Sequence, residues 1–118
     1  MKFVLSGAFA PVANLPALAV AADRHGWEMI SLSDHTVNPE TIQTPYPYTA
    51  DGKRRWPEFT EWPDQLVMMG AFAPITTRLR FTTNAFVLPL RNPFLVAKAL
   101  ATLSVISGNR ITLTIGVG

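Results

Sequence analysis

Four short apolar runs, separated by segments with helical periodicity, constrain this chain more than any other feature. Residues 2–7, 27–33, 80–88 and 110–117 read as strands, and each is almost continuously apolar rather than alternating. Strands of that kind are buried on both faces, as in parallel sheets. The segments between them carry helix signals. Asn14 is placed to cap a first helix and Pro16 to occupy its first turn, with Leu15, Leu18, Ala19 and Ala22 on one face and Asp23 and Arg24 outward. Gly26 is placed just past its end. Pro63 is expected to open a second helix, with Leu66, Met69, Gly70 and Ala73 inward and Pro74 at its end. Asn92-Pro93 is expected to start a third, burying Val96, Ala97, Leu100, Leu103 and Ser104 before Gly108. The order β-α-β-(long loop)-α-β-α-β predicts parallel strands joined by right-handed crossovers.

Residues 36–60 break this rhythm. They are rich in Pro, Thr and Tyr and contain the turn signal Asp51-Gly52. A loop of this length inside a domain is expected to be a lid or binding loop, or else disordered.

Composition removes several function classes. Apolar residues make up 48% and charged residues 15%, which argues for a packed interior and for surface covered by a partner. The net charge is +2 and no basic run exceeds Lys53-Arg54-Arg55, so nucleic-acid binding is not expected. The absence of cysteine rules out disulfides and thiolate metal sites. The two histidines, His25 and His35, fall at opposite ends of the β/α units, and no metal-ligand spacing joins them. Pro11, Asn14 and Pro16 interrupt the N-terminal apolar run, against a secretory signal. No apolar stretch reaches the roughly 20 residues of a membrane span. The patterns G-x-S-x-G, G-x-x-x-x-G-K-S/T and G-x-G-x-x-G are all missing. The turn after the first strand, Ser6-Gly7-Ala8-Phe9-Ala10-Pro11, therefore gives a doubly wound dinucleotide fold little support, but element order alone leaves that fold and a barrel both open.

In either parallel architecture, active sites lie at the C-terminal ends of the strands. Asp34-His35 follows the second strand, Asn84 lies in the third with Arg91-Asn92 beyond it, and Gly116-Val117-Gly118 ends the fourth. An imidazole at such a place can move protons near neutrality, and Asp34 can orient it or accept a hydrogen bond from a ligand. Tyr46, Tyr48, Trp56 and the basic triplet could clamp an anionic aromatic ligand, or form a solvated loop. Met68-Met69 is expected to belong to core or interface packing.

Taken in order, these segments resemble the luciferase-like monooxygenase family, including bacterial luciferase and F420-dependent oxidoreductases. The matching pieces are Ala-Asp-Arg-His-Gly-Trp (22–27), Leu-Ser-Asp-His (32–35), Tyr-Pro-Tyr-Thr-Ala-Asp-Gly (46–52), Thr-Thr-Asn-Ala-Phe-Val-Leu-Pro-Leu-Arg-Asn-Pro (82–93), Ala-Lys-Ala-Leu-Ala-Thr-Leu (97–103), Ser-Gly-Asn-Arg-Ile (107–111) and Gly-Val-Gly (116–118). The resemblance covers essentially the whole chain. It departs at Asn109, where a second glycine is common.

This resemblance implies an α/β fold of (β/α)₈ TIM-barrel type. Residues 1–118 would form the N-terminal part of one barrel domain, with the first four strands, about three helices and a long βα loop at 36–60. It implies coenzyme F420 or FMN as cofactor, with Tyr-Pro-Tyr-Thr closer to the F420 branch. A non-prolyl cis peptide is implied at Asn84–Ala85, beside the ring. Asp34, His35, Asn84, Ala85 and Gly116 become the cofactor-binding residues, and His35 and Asp34 the catalytic ones. The implied activity is oxidoreduction or monooxygenation of a small-molecule substrate by a bacterial, cytoplasmic enzyme, with neither nucleic acid nor membrane as partner. Family members are much longer than 118 residues, so this chain is expected to be an enzyme fragment, inactive alone. Its open sheet edges predict aggregation or a homo-oligomer such as a dimer. The alternative is a non-catalytic half-barrel module acting through oligomerisation.

Overall fold

A computed structural model describes residues 1–117. Gly118, the last residue of the expected 116–118 motif, lies outside the described residues. The strands are β1 (Val4–Ser6), β2 (Met29–Leu32), β3 (Arg80–Thr83), β4 (Phe86–Val87), β5 (Ile111–Thr112) and β6 (Ile115–Gly116). The helices are α1 (Leu15–Arg24), α2 (Gln65–Phe72) and α3 (Pro93–Ser107). One sheet has the order β1-β2-β3-β5, and β4 pairs with β6 in a short second ladder. Every pairing is parallel, with Leu5 opposite Ile30, Ile30 opposite Phe81 and Phe81 opposite Ile111.

Two observations settle the choice that element order left open. The strands follow one another across the sheet in chain order, without the reversal that defines a doubly wound fold. All three helices also share one core with the same strand face: Leu15, Ala19 and Ala22 of α1, Met68, Met69 and Phe72 of α2 and Leu103 of α3 join Ile30, Leu32 and Phe81. Helices confined to one face, over strands laid down in sequence, are the winding of a β/α barrel. Ser6, Ser31 and Thr82 alternate with the core residues and so belong to the other face, which would line the interior of a closed barrel.

The expected strands 80–88 and 110–117 are each interrupted. Thr83 supplies the physical reason. Its hydroxyl donates to the Thr114 carbonyl at 2.8 Å and accepts from the Thr114 N–H at 2.9 Å, replacing the ladder bonds. The Phe86 N–H then meets the same Thr114 carbonyl at 2.8 Å, and pairing resumes as β4 with β6. The Asn84–Ala85 peptide, in the gap between β3 and β4, is cis.

Helix boundaries follow capping chemistry. Asn92 caps α3 by accepting from the Phe94 and Leu95 N–H groups, and Pro93 fills the first position. Gly26 and Gly108, at φ 79° and 62°, adopt the left-handed conformation that ends α1 and α3. Asn109 also takes a positive φ of 60°, which asparagine tolerates better than most residues. Other expectations shift. Asn14 makes no side-chain cap, because a 3₁₀ turn at Val12–Asn14 leads directly into α1 and Glu61 accepts the Val12 N–H at 2.6 Å. Asp64, not Pro63, caps α2 by accepting from Val67. That start rotates the buried face of α2 to Gln65, Met68, Met69 and Phe72, while Leu66 is only half-buried. On α3, Ala97 is exposed and Ser107 buried, because the helix packs against α2, the Ala73–Ile75 turn and β5 on one side and leaves the other open.

The rim at the strand N-termini is tied by two residues. Arg110 donates to the carbonyls of Ala73 (2.7 Å), Leu79 (3.0 Å) and Ser107 (2.7 Å) and to the Thr76 hydroxyl (2.7 Å), and stacks over Phe81. Asp23, expected to face outward, instead accepts from the N–H groups of Thr77, Arg78 and Leu79 at 2.6–2.9 Å and from the Thr77 hydroxyl. Partial burial pushes its pKa up, but these four donors pull harder and bring it down to about 2. A carboxyl depressed in the folded state contributes stability above its unfolded pKa, and that stability is lost as pH falls through the folded value. Asp23→Asn is therefore expected to lower stability at pH 7 by about 1–2 kcal/mol. Urea melts should show the difference from wild type shrinking between about pH 4 and pH 2.

Candidate active site

Because all strands are parallel, their C-terminal ends lie on one rim. A cavity of about 640 Å³ opens there, and Asp34, His35, Asn84 and Ala85 all line it. Gly116 adjoins it through the ladder with Val87; a Cβ at position 116 would lie 3.1 Å from the Ala85 Cβ. The five residues singled out in sequence thus come together, although 82 positions separate the first from the last. Each arrives for a local reason: β2 ends at Leu32 and delivers Asp34 and His35, the β3–β4 junction presents Asn84 and Ala85, and β6 carries Gly116.

Asp34 is held rather than free. Its side chain is only 4% exposed and takes both arms of Arg91, Nη1 at 2.6 Å and Nη2 at 2.8 Å. It also accepts the Val87 N–H at 2.8 Å, while the Arg91 guanidinium lies over the Phe86 ring, 4.1 Å from its centre. The pair fixes the β4 turn against the end of β2. No hydrogen bond joins Asp34 to His35 among the described residues.

His35 instead sits in a cluster of rings. Its centroid lies 4.2 Å from that of Trp62 and 5.0 Å from that of Trp56. Phe9 touches Trp62 (5.3 Å), and Tyr46 meets Trp56 edge-on (5.2 Å). Burial among these rings pushes the His35 pKa below its ordinary 6.5, and the Asp34 charge opposes this only in part. The shift favours the neutral imidazole over the imidazolium. Sequence reading singled out Trp56 and Tyr46 but missed Phe9 and Trp62. The density of Trp56, Phe59 and Trp62 within seven residues was the one available signal.

The 36–60 loop builds its own framework. Arg54 donates to the carbonyls of Pro39 (2.6 Å) and Glu40 (3.0 Å), Asn38 donates to the Glu58 carbonyl at 2.6 Å, and the Tyr46 N–H meets the Gly52 carbonyl at 2.7 Å. Arg55 pairs with Asp51 at 3.1 Å. Two of the three cations considered as an anion clamp are thus engaged within the loop.

Ala85 adds little bulk to the cavity lining, the exposed Asn84 amide makes no side-chain hydrogen bond among the described residues, and the volume falls in the range of small-ligand sites. Among the described residues no cluster of acidic or histidine side chains could hold a metal.

The fold is that of part of a β/α barrel, with the cleft at the C-terminal rim of its strands. The model of the luciferase-like monooxygenase family matches residues 3–118, and the chain belongs to that family. It is 34% identical over 116 residues to an uncharacterised protein of Mycobacterium tuberculosis, covering 98% of this chain and 40% of that one. It is 33% identical over 111 residues to the F420-dependent glucose-6-phosphate dehydrogenase of Mycolicibacterium gilvum, covering 93% of this chain and 28% of that one. Among solved structures, the oxygenating constituent of 3,6-diketocamphane monooxygenase from Pseudomonas putida, in complex with FMN, matches all of this chain and 30% of its own with a TM-score of 0.72 at 23% identity. The F420-dependent tetrahydromethanopterin reductase of Methanopyrus kandleri gives 0.70 at 19% identity, over 99% and 27%. At those identities the structural matches speak for the fold. The chain spans 40% or less of the length of these relatives.

Proposed function

We propose that this chain forms the cofactor-facing N-terminal part of a bacterial, cytoplasmic flavin- or deazaflavin-dependent oxidoreductase, inactive without the rest of a barrel. The observation that carries the reading is the convergence of Asp34, His35, Asn84 and Ala85 on one rim cleft. F420 is the better supported cofactor, since a relative at 33% identity is named for it, and FMN is the second candidate. Once bound, such a ring supplies hydride transfer or, with FMN, oxygen activation. Ala85 and Gly116 would form the floor beneath it, and the Asn84 amide would bond to its polar edge. His35, neutral and half-buried, would accept or return the proton that accompanies the hydride. Asp34 acts as a positioning residue, holding Arg91 and the β4 turn that closes one side of the cleft. No observation favours the alternative of a non-catalytic half-barrel module.

Fluorescence titration of the complete protein with F420 and with FMN tests this reading. Saturable quenching by one of them, weakened by Asn84→Ala, is expected; quenching by neither defeats it.

Self-association is part of the same proposal. Val67 of α2 and Leu95 and Ile106 of α3 are exposed around one apolar groove between the two helices. A second copy seated there would cover them. Size-exclusion chromatography should show a dimer that Ile106→Glu converts to a monomer, and a wild-type monomer at micromolar concentration would remove this element.

A further inference from the structure

Resting on that reading of the cleft, we propose that the wall contributed by the 36–60 loop takes an uncharged, largely apolar substrate bearing a flat ring, and that Tyr48 selects it. Several exposed apolar side chains converge on this cavity. Val37 is 70% exposed and Tyr48 84% on the 36–60 loop, Leu90 is 61% exposed and Val117 85%, and all four line the same cavity. Exposed apolar groups that converge on one concavity mark a ligand surface.

Charge points the same way. Apart from the two tyrosine phenols, the ionisable side chains lining the cavity are Asp34 and His35. The Asp34 carboxylate is neutralised by both arms of Arg91. The imidazole packs against Trp56 and Trp62, where burial disfavours its charged form. The loop's arginines are turned into its framework: Arg54 onto the Pro39 and Glu40 carbonyls, Arg55 onto Asp51. The cavity lining itself offers an anionic group no Lys or Arg to offset its lost hydration.

Geometry supplies the preference for a ring. Tyr46 is held edge-on by Trp56 at 5.2 Å and holds Tyr48 edge-on at 5.4 Å. With Tyr48 positioned through its edge contact and still 84% exposed, a ring face is available for offset stacking. The hydroxyls of Tyr46 and Tyr48 make no hydrogen bond among the described residues, so they can meet a neutral carbonyl or hydroxyl on the substrate. This departs from the phosphorylated sugar in the name of the Mycolicibacterium gilvum relative.

The test uses the complete protein, with 2-naphthol as a neutral bicyclic probe and glucose 6-phosphate as the anionic competitor, each titrated with and without F420 or FMN. Saturation-transfer NMR detects the bound probe, and its fluorescence gives Kd. Tyr48→Ala should weaken 2-naphthol about tenfold, and Tyr48→Phe by no more than about twofold. Phe94→Ala, on the outer face of α3, should change nothing, and glucose 6-phosphate should not displace the probe. The proposal is overturned if 2-naphthol does not bind, if Phe94→Ala weakens it as much as Tyr48→Ala, or if glucose 6-phosphate displaces it. Probe binding through Tyr48 without any cofactor binding would defeat the oxidoreductase reading and leave this one intact.

Discussion

Replacing His35 by Phe should lower turnover of the complete enzyme by about two to four orders of magnitude while cofactor affinity stays within a few-fold. Phenylalanine is the informative replacement because it preserves the ring between Trp56 and Trp62, 5.0 Å and 4.2 Å away, and removes only the proton chemistry. His35→Ala would open a gap in that stack and mix a packing loss with a chemical one. The same reading fixes a pH signature. Burial lowers the imidazole pKa and the neighbouring Asp34 charge only partly restores it. A reaction that uses neutral His35 as a base should show the acid limb of its kcat/KM profile centred below pH 6.5. An acid limb centred above 6.5, or a His35→Phe enzyme with undiminished kcat, would take His35 out of the mechanism.

Arg91→Ala should cost about 3–5 kcal/mol, because it strands the Asp34 carboxylate, 4% exposed, without its counter-ion. The pair itself is a different matter. Exchanging both partners, as in Asp34→Leu with Arg91→Met, removes two desolvated charges together and should recover much of that loss. Some deficit should remain, since Asp34 also accepts the Val87 N–H and Arg91 covers the Phe86 ring. Urea denaturation of the two single variants and the double variant measures the coupling directly. Single substitutions that each cost less than about 1 kcal/mol would mean the pair is solvated, and its role in holding the β4 turn would be lost.

The parts legible in the sequence are those written in neighbouring residues. Continuous apolar runs marked parallel strands, Asn92-Pro93 and Gly108 marked the limits of α3, and strand ends marked Asp34, His35 and Asn84 as neighbours on one rim. Each signal depends on backbone conformation within a few positions, which adjacent side chains dictate. Choosing between a barrel and a doubly wound sheet required the strand order and the side on which the helices lie. Neither is encoded in any single window.

What the tertiary structure alone decided is where polar and aromatic side chains spend their bonds. Asp23 looked like a surface residue of α1, yet its carboxylate satisfies a turn 54 positions away. Asp34 looked free to act beside His35, yet Arg91, 57 positions on, claims both of its oxygens. Arg54 looked available for a ligand and instead braces its own loop. A strand or helix follows from which dihedral angles its own residues prefer, whereas a hydrogen bond or ring contact follows from which distant segment the folded chain brings within a few ångströms.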